Sequence, residues 1–183
     1  MNKIFKVGLI GCGHIAETYF RAHKYFNNFK IIKCADILES ASKKCASKYG
    51  IKSLSVQDLL NDKEIEIILN LTIPKAHYEV SKKALLHNKH VYTEKPMAIN
   101  LKDGKELVKL AKKKRLYIGN APDTFLGGGG QLTKQIIERG EIGDIKLGNF
   151  TFAFPGVQSW HPNPEPWFVE GGGPVLDLSL IHI

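Results

Sequence analysis

The run Gly11-Cys12-Gly13-His14-Ile15-Ala16 follows the apolar segment FKVGLI and opens HIAETYFRAHKYF, whose apolar residues recur at helical spacing. A GxGxxA turn held between a strand and a helix restricts the fold more than any other stretch of this chain. Gly11 permits the tight turn, Gly13 lets the backbone approach a pyrophosphate, and Ala16 allows close packing of helix on strand. The head of the helix, around His14 and Ile15, brings backbone N–H groups and the positive end of the helix dipole to an anion. The glycine pattern is common by itself; its place between strand and helix is what makes it a dinucleotide signature. The side chains of Cys12 and His14 are read as neither reactive nor metal-binding, because such a turn tolerates many side chains there.

Apolar runs and helix-period stretches alternate up to residue 120. FKIIKCAD reads as a second strand and ESASKKCASKYG as a helix, and residues 51–54 are a short third strand. Ser55, with Asp58 three residues on, starts a helix over SVQDLLND. EIEIILNLT is nearly continuous in apolar character, as in a strand covered on both faces. KAHYEVSKKALLHNK is helical, HVYT a strand, NLKDGKELVKLAKKKR a helix capped by Asn100, and LYIGN a last strand. Such alternation with short connections predicts an α/β fold, a Rossmann-type doubly wound parallel sheet. Its domain is placed at residues 1–120.

An acidic residue, Asp36, stands where the second strand ends. A carboxylate there accepts hydrogen bonds from both ribose hydroxyls and repels a 2′-phosphate. Ile37 follows it, and no arginine is adjacent to receive that phosphate. The cofactor is therefore read as NAD, with NADP possible if Lys33 or a more distant lysine serves.

Composition narrows the remaining classes. With 43% hydrophobic and 24% charged residues the chain is globular in character, and no apolar run approaches the roughly 18 residues of a membrane span. The net charge of +8 comes from lysines spread along helical segments, without the aromatic interleaving of a nucleic-acid surface. We read these lysines as solvated faces and expect no nucleic-acid or membrane partner. The 3 cysteines, Cys12, Cys34 and Cys45, form no CxxC pair. They are read as reduced thiols of a cytoplasmic protein, with no metal expected.

A second constellation lies downstream. Thr72, Ile73 and Pro74, with His77 after them, follow the fourth strand; Glu94, Lys95 and Pro96 follow the fifth. Both sets fall at the C-terminal sheet edge, where doubly wound sheets bind ligands. A lysine there can donate to a substrate hydroxyl and stabilise the alkoxide that precedes hydride loss. Taken together, the GxGxxA turn, Asp36, the segment Thr72–His77, Glu94-Lys95-Pro96 and the later GGGPVLD resemble the Gfo/Idh/MocA family of NAD(P)-dependent oxidoreductases. The likeness extends to about Asp177. It implies a mixed α/β second domain after the Rossmann domain, and hydride exchange between nicotinamide C4 and a sugar, cyclitol or related alcohol or carbonyl. By that likeness Lys95 lies near the nicotinamide and the reacting hydroxyl, Glu94 fixes the loop, Pro96 shapes it, and Thr72, Pro74 and His77 lie near the cofactor. It also implies a small-molecule substrate and self-association of the whole protein.

After residue 120 the texture changes. APDTFLGGGG reads as a loop, QLTKQIIERGEIG as a short helix, DIKLGNFTFAF as an alternating strand, and GVQSWHPNPEPWFVEGGGP as a loop. Residues 121–177 are thus taken as the incomplete start of the second domain. Asp123, Thr124, Trp160 and His161 are its candidate substrate contacts, since carboxylates bind hydroxyls and an indole stacks on a sugar's apolar face.

The family likeness also implies a catalytic Asp followed four residues later by His or Tyr on one helix face. Asp177 supplies the aspartate. Ile181 occupies the fourth position, and His182 falls about 140° further round than Asp177. The last residues, LSLIHI, are the in-frame translation of CTG TCT CTT ATA CAC ATC, a transposase adapter used in making sequencing libraries. We therefore expect residues 178–183 to be a non-native tail and the natural sequence to continue differently after Asp177. Native genomic DNA running through these codons would overturn this. The resulting piece is expected to bind NAD and turn over little. Two other readings share these motifs: a non-catalytic NAD-binding redox-sensing module, and a family member that uses NAD transiently in glycoside cleavage.

Overall fold

The computed structural model describes residues 3–121, 126–149 and 151. In chain order the elements are β1 (Phe5–Ile10), α1 (Ala16–Ala22), β2 (Phe29–Ala35), α2 (Glu39–Tyr49), β3 (Lys52–Ser53), α3 (Val56–Asn61), β4 (Ile67–Asn70), α4 (Pro74–Leu86), β5 (His90–Thr93), α5 (Leu101–Lys114), β6 (Ile118–Asn120) and α6 (Gly128–Glu138). The strands form one sheet in the order β3-β2-β1-β4-β5-β6, and every pairing is parallel. This is the doubly wound order read from the sequence, with its reversal between β1 and β4.

Alternation along the central strands sorts their side chains between two cores. Val7, Leu9, Ile31 and Leu69 pack on one face with Ala16 and Phe20 of α1 and Cys45 and Ala46 of α2. Ile10, Ile68 and Val91 pack on the other with Leu59 and Leu60 of α3, Ala84 and Leu85 of α4, and Leu107 and Ala111 of α5. Burial on both faces explains why β1 and β4 lack polar alternation.

Local signals set the helix starts. Ser55 Oγ accepts from the Asp58 amide at 3.0 Å, and Asn100 Oδ1 accepts from the Asp103 amide at 2.9 Å. Pro74 occupies the first turn of α4, where its missing N–H costs nothing.

Three sequence expectations are corrected. The first helix ends at Ala22 and tightens into a 3-10 turn over His23–Tyr25, which brings the chain round into β2. The glycine loop before α6 is shorter than expected, since the Gln131 amide bonds the Gly127 carbonyl at 3.0 Å and draws Gly128 to Gly130 into the first turn. The strand expected from Asp144 is not formed over residues 144–149, because a strand exists through its pairing and none pairs here among the described residues; the rest of that segment, save Thr151, lies outside them.

The chain divides into two compact units, Met1–Ala121 and Pro122–Ile183. Within the second, α6 buries none of its side chains. Among the described residues no helix is long and apolar enough to cross a membrane.

Candidate functional site

Because the sheet is parallel, the segments that leave β1, β2, β4 and β5 emerge at one edge. Backbone hydrogen bonds continue the ladder past the strands: Gly11 N to Ala35 O at 3.0 Å, Leu71 N to Ile10 O at 2.8 Å, and Glu94 N to Asn70 O at 2.9 Å. Gly11 has φ +100°, and a Cβ on it would lie 2.5 Å from the backbone of Leu71. Only glycine fits there, both for its dihedral and for the close approach of the two chains. Gly13 is exposed, and a Cβ on it would meet nothing within 4 Å. His14 and Ile15 are exposed beside it, while Ala16, the first residue of α1, is buried against the sheet as the motif requires.

Asp36 closes the turn from the neighbouring strand. Its Oδ2 accepts from the Cys12 amide at 2.7 Å and its Oδ1 from the Leu38 amide at 2.9 Å. Each carboxylate oxygen keeps a second lone pair for a hydroxyl donor. Lys33, weighed above as a receptor for a 2′-phosphate, is instead held by Asp62 at 2.6 Å and Glu64 at 2.5 Å.

At the β4 and β5 exits the polar groups form one network. Buried Asn70 donates to the His77 carbonyl and to Ser81 Oγ, both at 3.0 Å, and its Oδ1 accepts from Thr72 Oγ1 at 2.7 Å. His77 is buried, and its two ring nitrogens lie 2.6 Å from the Pro96 carbonyl and 2.8 Å from the Thr72 carbonyl. It therefore links the segment after β4 to the one after β5. Glu94 accepts from Tyr19 Oη at 2.7 Å through one oxygen and from the Lys95 amide at 3.1 Å through the other. Asn120 Nδ2 donates to the carbonyls of Thr93 and Glu94 at 3.1 and 3.0 Å. The Lys95–Pro96 peptide bond is cis. Glu94 and Lys95 are half-buried and Pro96 is buried, with Pro74 at the head of α4 half-buried nearby in sequence to Thr72.

Thus Gly11, Gly13, His14, Ile15, Asp36, Thr72, Pro74, His77, Glu94 and Lys95 are all placed at or just behind one sheet edge. Asp123, Thr124, Trp160, His161 and Asp177 lie outside the described residues. Sequence reasoning missed Tyr19, Asn70 and Asn120. Asn70 left a signal, as the one amide within an otherwise apolar strand; Tyr19 left none, because only the fold carries α1 to the β5 exit.

The cysteines also meet. The sulfurs of Cys12, Cys34 and Cys45 all lie within 4.8 Å of one another, although they come from the dinucleotide turn, β2 and α2. Hydrogen bonding from Cys12 holds the Cys34 thiol below its ordinary value, while the same bond pushes Cys12 up and burial pushes Cys45 up to about 11.

The profile described as "Oxidoreductase family, NAD-binding Rossmann fold" matches residues 5–120. The chain belongs to the Gfo/Idh/MocA oxidoreductase family. An inositol 2-dehydrogenase of Salmonella paratyphi B is 30% identical over 144 residues, covering 75% of this chain and 43% of that protein. The crystal structure of WlbA dehydrogenase from Chromobacterium violaceum, in complex with NADH and UDP-GlcNAcA, superposes with TM-score 0.72 at 29% identity over 78% of this chain and 42% of its own. KijD10, a 3-ketoreductase from Actinomadura kijaniata in complex with NADP, shares the fold at TM-score 0.70 and 20% identity, over 75% of this chain and 43% of its own. The Gfo/Idh/MocA chain described here spans less than half the length of each of these relatives.

Proposed function

We propose that this chain is the cofactor-binding part of an NAD-dependent oxidoreductase acting on a sugar, cyclitol or related alcohol or carbonyl. What carries the reading is Glu94-Lys95-Pro96 at the sheet edge beside the β1/β4 reversal, tied to the dinucleotide helix by the Tyr19–Glu94 hydrogen bond. The residues fit a dinucleotide. The open face of Gly13 admits a pyrophosphate alongside His14 and Ile15, and Asp36 retains lone pairs for ribose hydroxyls. Preference for NAD over NADP rests on Asp36 and on the engagement of Lys33 elsewhere.

Bound NAD supplies the hydride acceptor at nicotinamide C4. Thr72, Pro74 and His77 shape the wall beside it, and His77 holds the two exit segments in fixed relation. Lys95 donates to the substrate oxygen and favours its alkoxide as the hydride leaves the adjoining carbon. Glu94 positions the segment that carries Lys95. Residues 121–177 are the start of a substrate domain in this reading. Asp123, Thr124, Trp160 and His161 would contact the sugar there, and Asp177 would orient the proton acceptor. The whole protein works as a homo-oligomer in the cytoplasm.

The test is isothermal titration of NAD and NADP into the chain and its Asp36→Ala and Lys95→Ala variants. Asp36→Ala should weaken NAD binding about ten- to hundred-fold, the worth of hydrogen bonds to a charged group. Lys95→Ala should leave it nearly unchanged. Absence of binding to the folded chain would overturn the reading, and tighter binding of NADP would overturn the cofactor preference.

A further inference from the structure

Cysteine spacing in the sequence shows no metal motif, but the fold gathers all 3 cysteines of the chain into one cluster. Cys34 is wholly buried, Cys45 nearly so, and Cys12 is half-buried in the turn after β1. Their surroundings are apolar: Leu9, Ala16, Ile31 and Ala46 belong to the same core. We propose that Cys12, Cys34 and Cys45 form a three-sulfur site for a divalent d10 cation of the zinc class.

Geometry and chemistry both support this occupant. A cation about 2.3 Å from each of three sulfurs sets them about 4 Å apart. The observed limit of 4.8 Å is therefore closed by small side-chain rotations. Thiolates select soft and borderline cations over magnesium or calcium. Cys12 is the one partly exposed member of the three and so the side from which a cation would enter. Cys12 Sγ lies 3.6 Å from the Ala35 carbonyl and Cys34 Sγ 3.5 Å from that of Ser42. On binding, three S–H bonds break, three metal–sulfur bonds form and three protons pass to the buffer, with no change of oxidation state. A disulfide would use two of the sulfurs, require an oxidant, and leave the third without a role.

Cadmium is the probe, because its thiolate complexes have a charge-transfer absorption in the ultraviolet that histidine and carboxylate ligands do not give. The reduced full chain, freed of metal, is titrated with cadmium and then with a chelator. The expected result is a band that saturates at one cadmium per chain, with protons released and the band removed by the chelator. Cys12→Ser and, independently, Cys45→Ala should each weaken binding at least ten-fold while far-ultraviolet circular dichroism stays native. Either variant that folds is sufficient. No band from a folded chain with all three thiols titratable would overturn the site. So would a band unchanged in the folded variants, or loss of free thiols before any metal is added.

Discussion

Two glycines of the same turn should respond oppositely to the same substitution. Gly11→Ala forces a side chain into φ +100° and within 2.5 Å of the Leu71 backbone, where neither chain can yield without breaking the β1–β4 exit. It should cost about 3 kcal/mol or more, seen as a lower denaturation midpoint. Gly13→Ala meets nothing within 4 Å, so stability should change by less than about 1 kcal/mol. Its effect should fall on dinucleotide affinity, because the new methyl occupies the face proposed for the pyrophosphate. Denaturant melts together with NAD titrations separate the two; equal destabilisation by both would contradict the packing described. The motif letters are the same for both glycines, and only the three-dimensional neighbours tell folding from binding.

The secondary-structure elements are held by caps where the helices start and by charge toward the N-terminal side of the sheet. Asn100→Ala removes the side-chain acceptor at the head of α5 and should cost about 1 kcal/mol in a denaturant melt. Lys33 on β2 joins Asp62 and Glu64, and its ammonium holds both carboxyls below their ordinary values. A lowered carboxyl adds stability that is complete above its unfolded value, near 4, and is lost as pH falls through the folded value. The chain should therefore lose stability from about pH 4 downward, and Lys33→Met should flatten that acid limb. Melting temperatures taken across the acid range check this. An undiminished acid limb in the variant would assign it to other carboxylates.

At the scale of the molecule, both faces of the sheet find their covering helices inside residues 5–120, with α1 and α2 on one side and α3, α4 and α5 on the other. A protein of residues 1–121 should therefore fold cooperatively by itself, with coincident circular dichroism and fluorescence transitions, and should bind NAD as the longer chain does. Failure to fold would mean that Pro122–Ile183 supplies part of the core. The alternation of strands and helices made this sheet legible in advance, since period and punctuation are local properties. Element ends were less legible. The early stop of α1 and the glycine start of α6 depend on where the chain must go next.

The sequence by itself determined the fold class, the dinucleotide turn, Asp36 and the Glu94-Lys95-Pro96 segment, because each is written in neighbouring residues. The tertiary structure alone decided that Tyr19 reaches Glu94, that His77 in the first turn of α4 joins two strand exits, and that three distant thiols share one space. Those are meetings between elements far apart in the chain. A parallel sheet creates them by bringing every strand exit to one edge and packing α1 and α2 over the same face, and no local pattern of residues encodes such proximity.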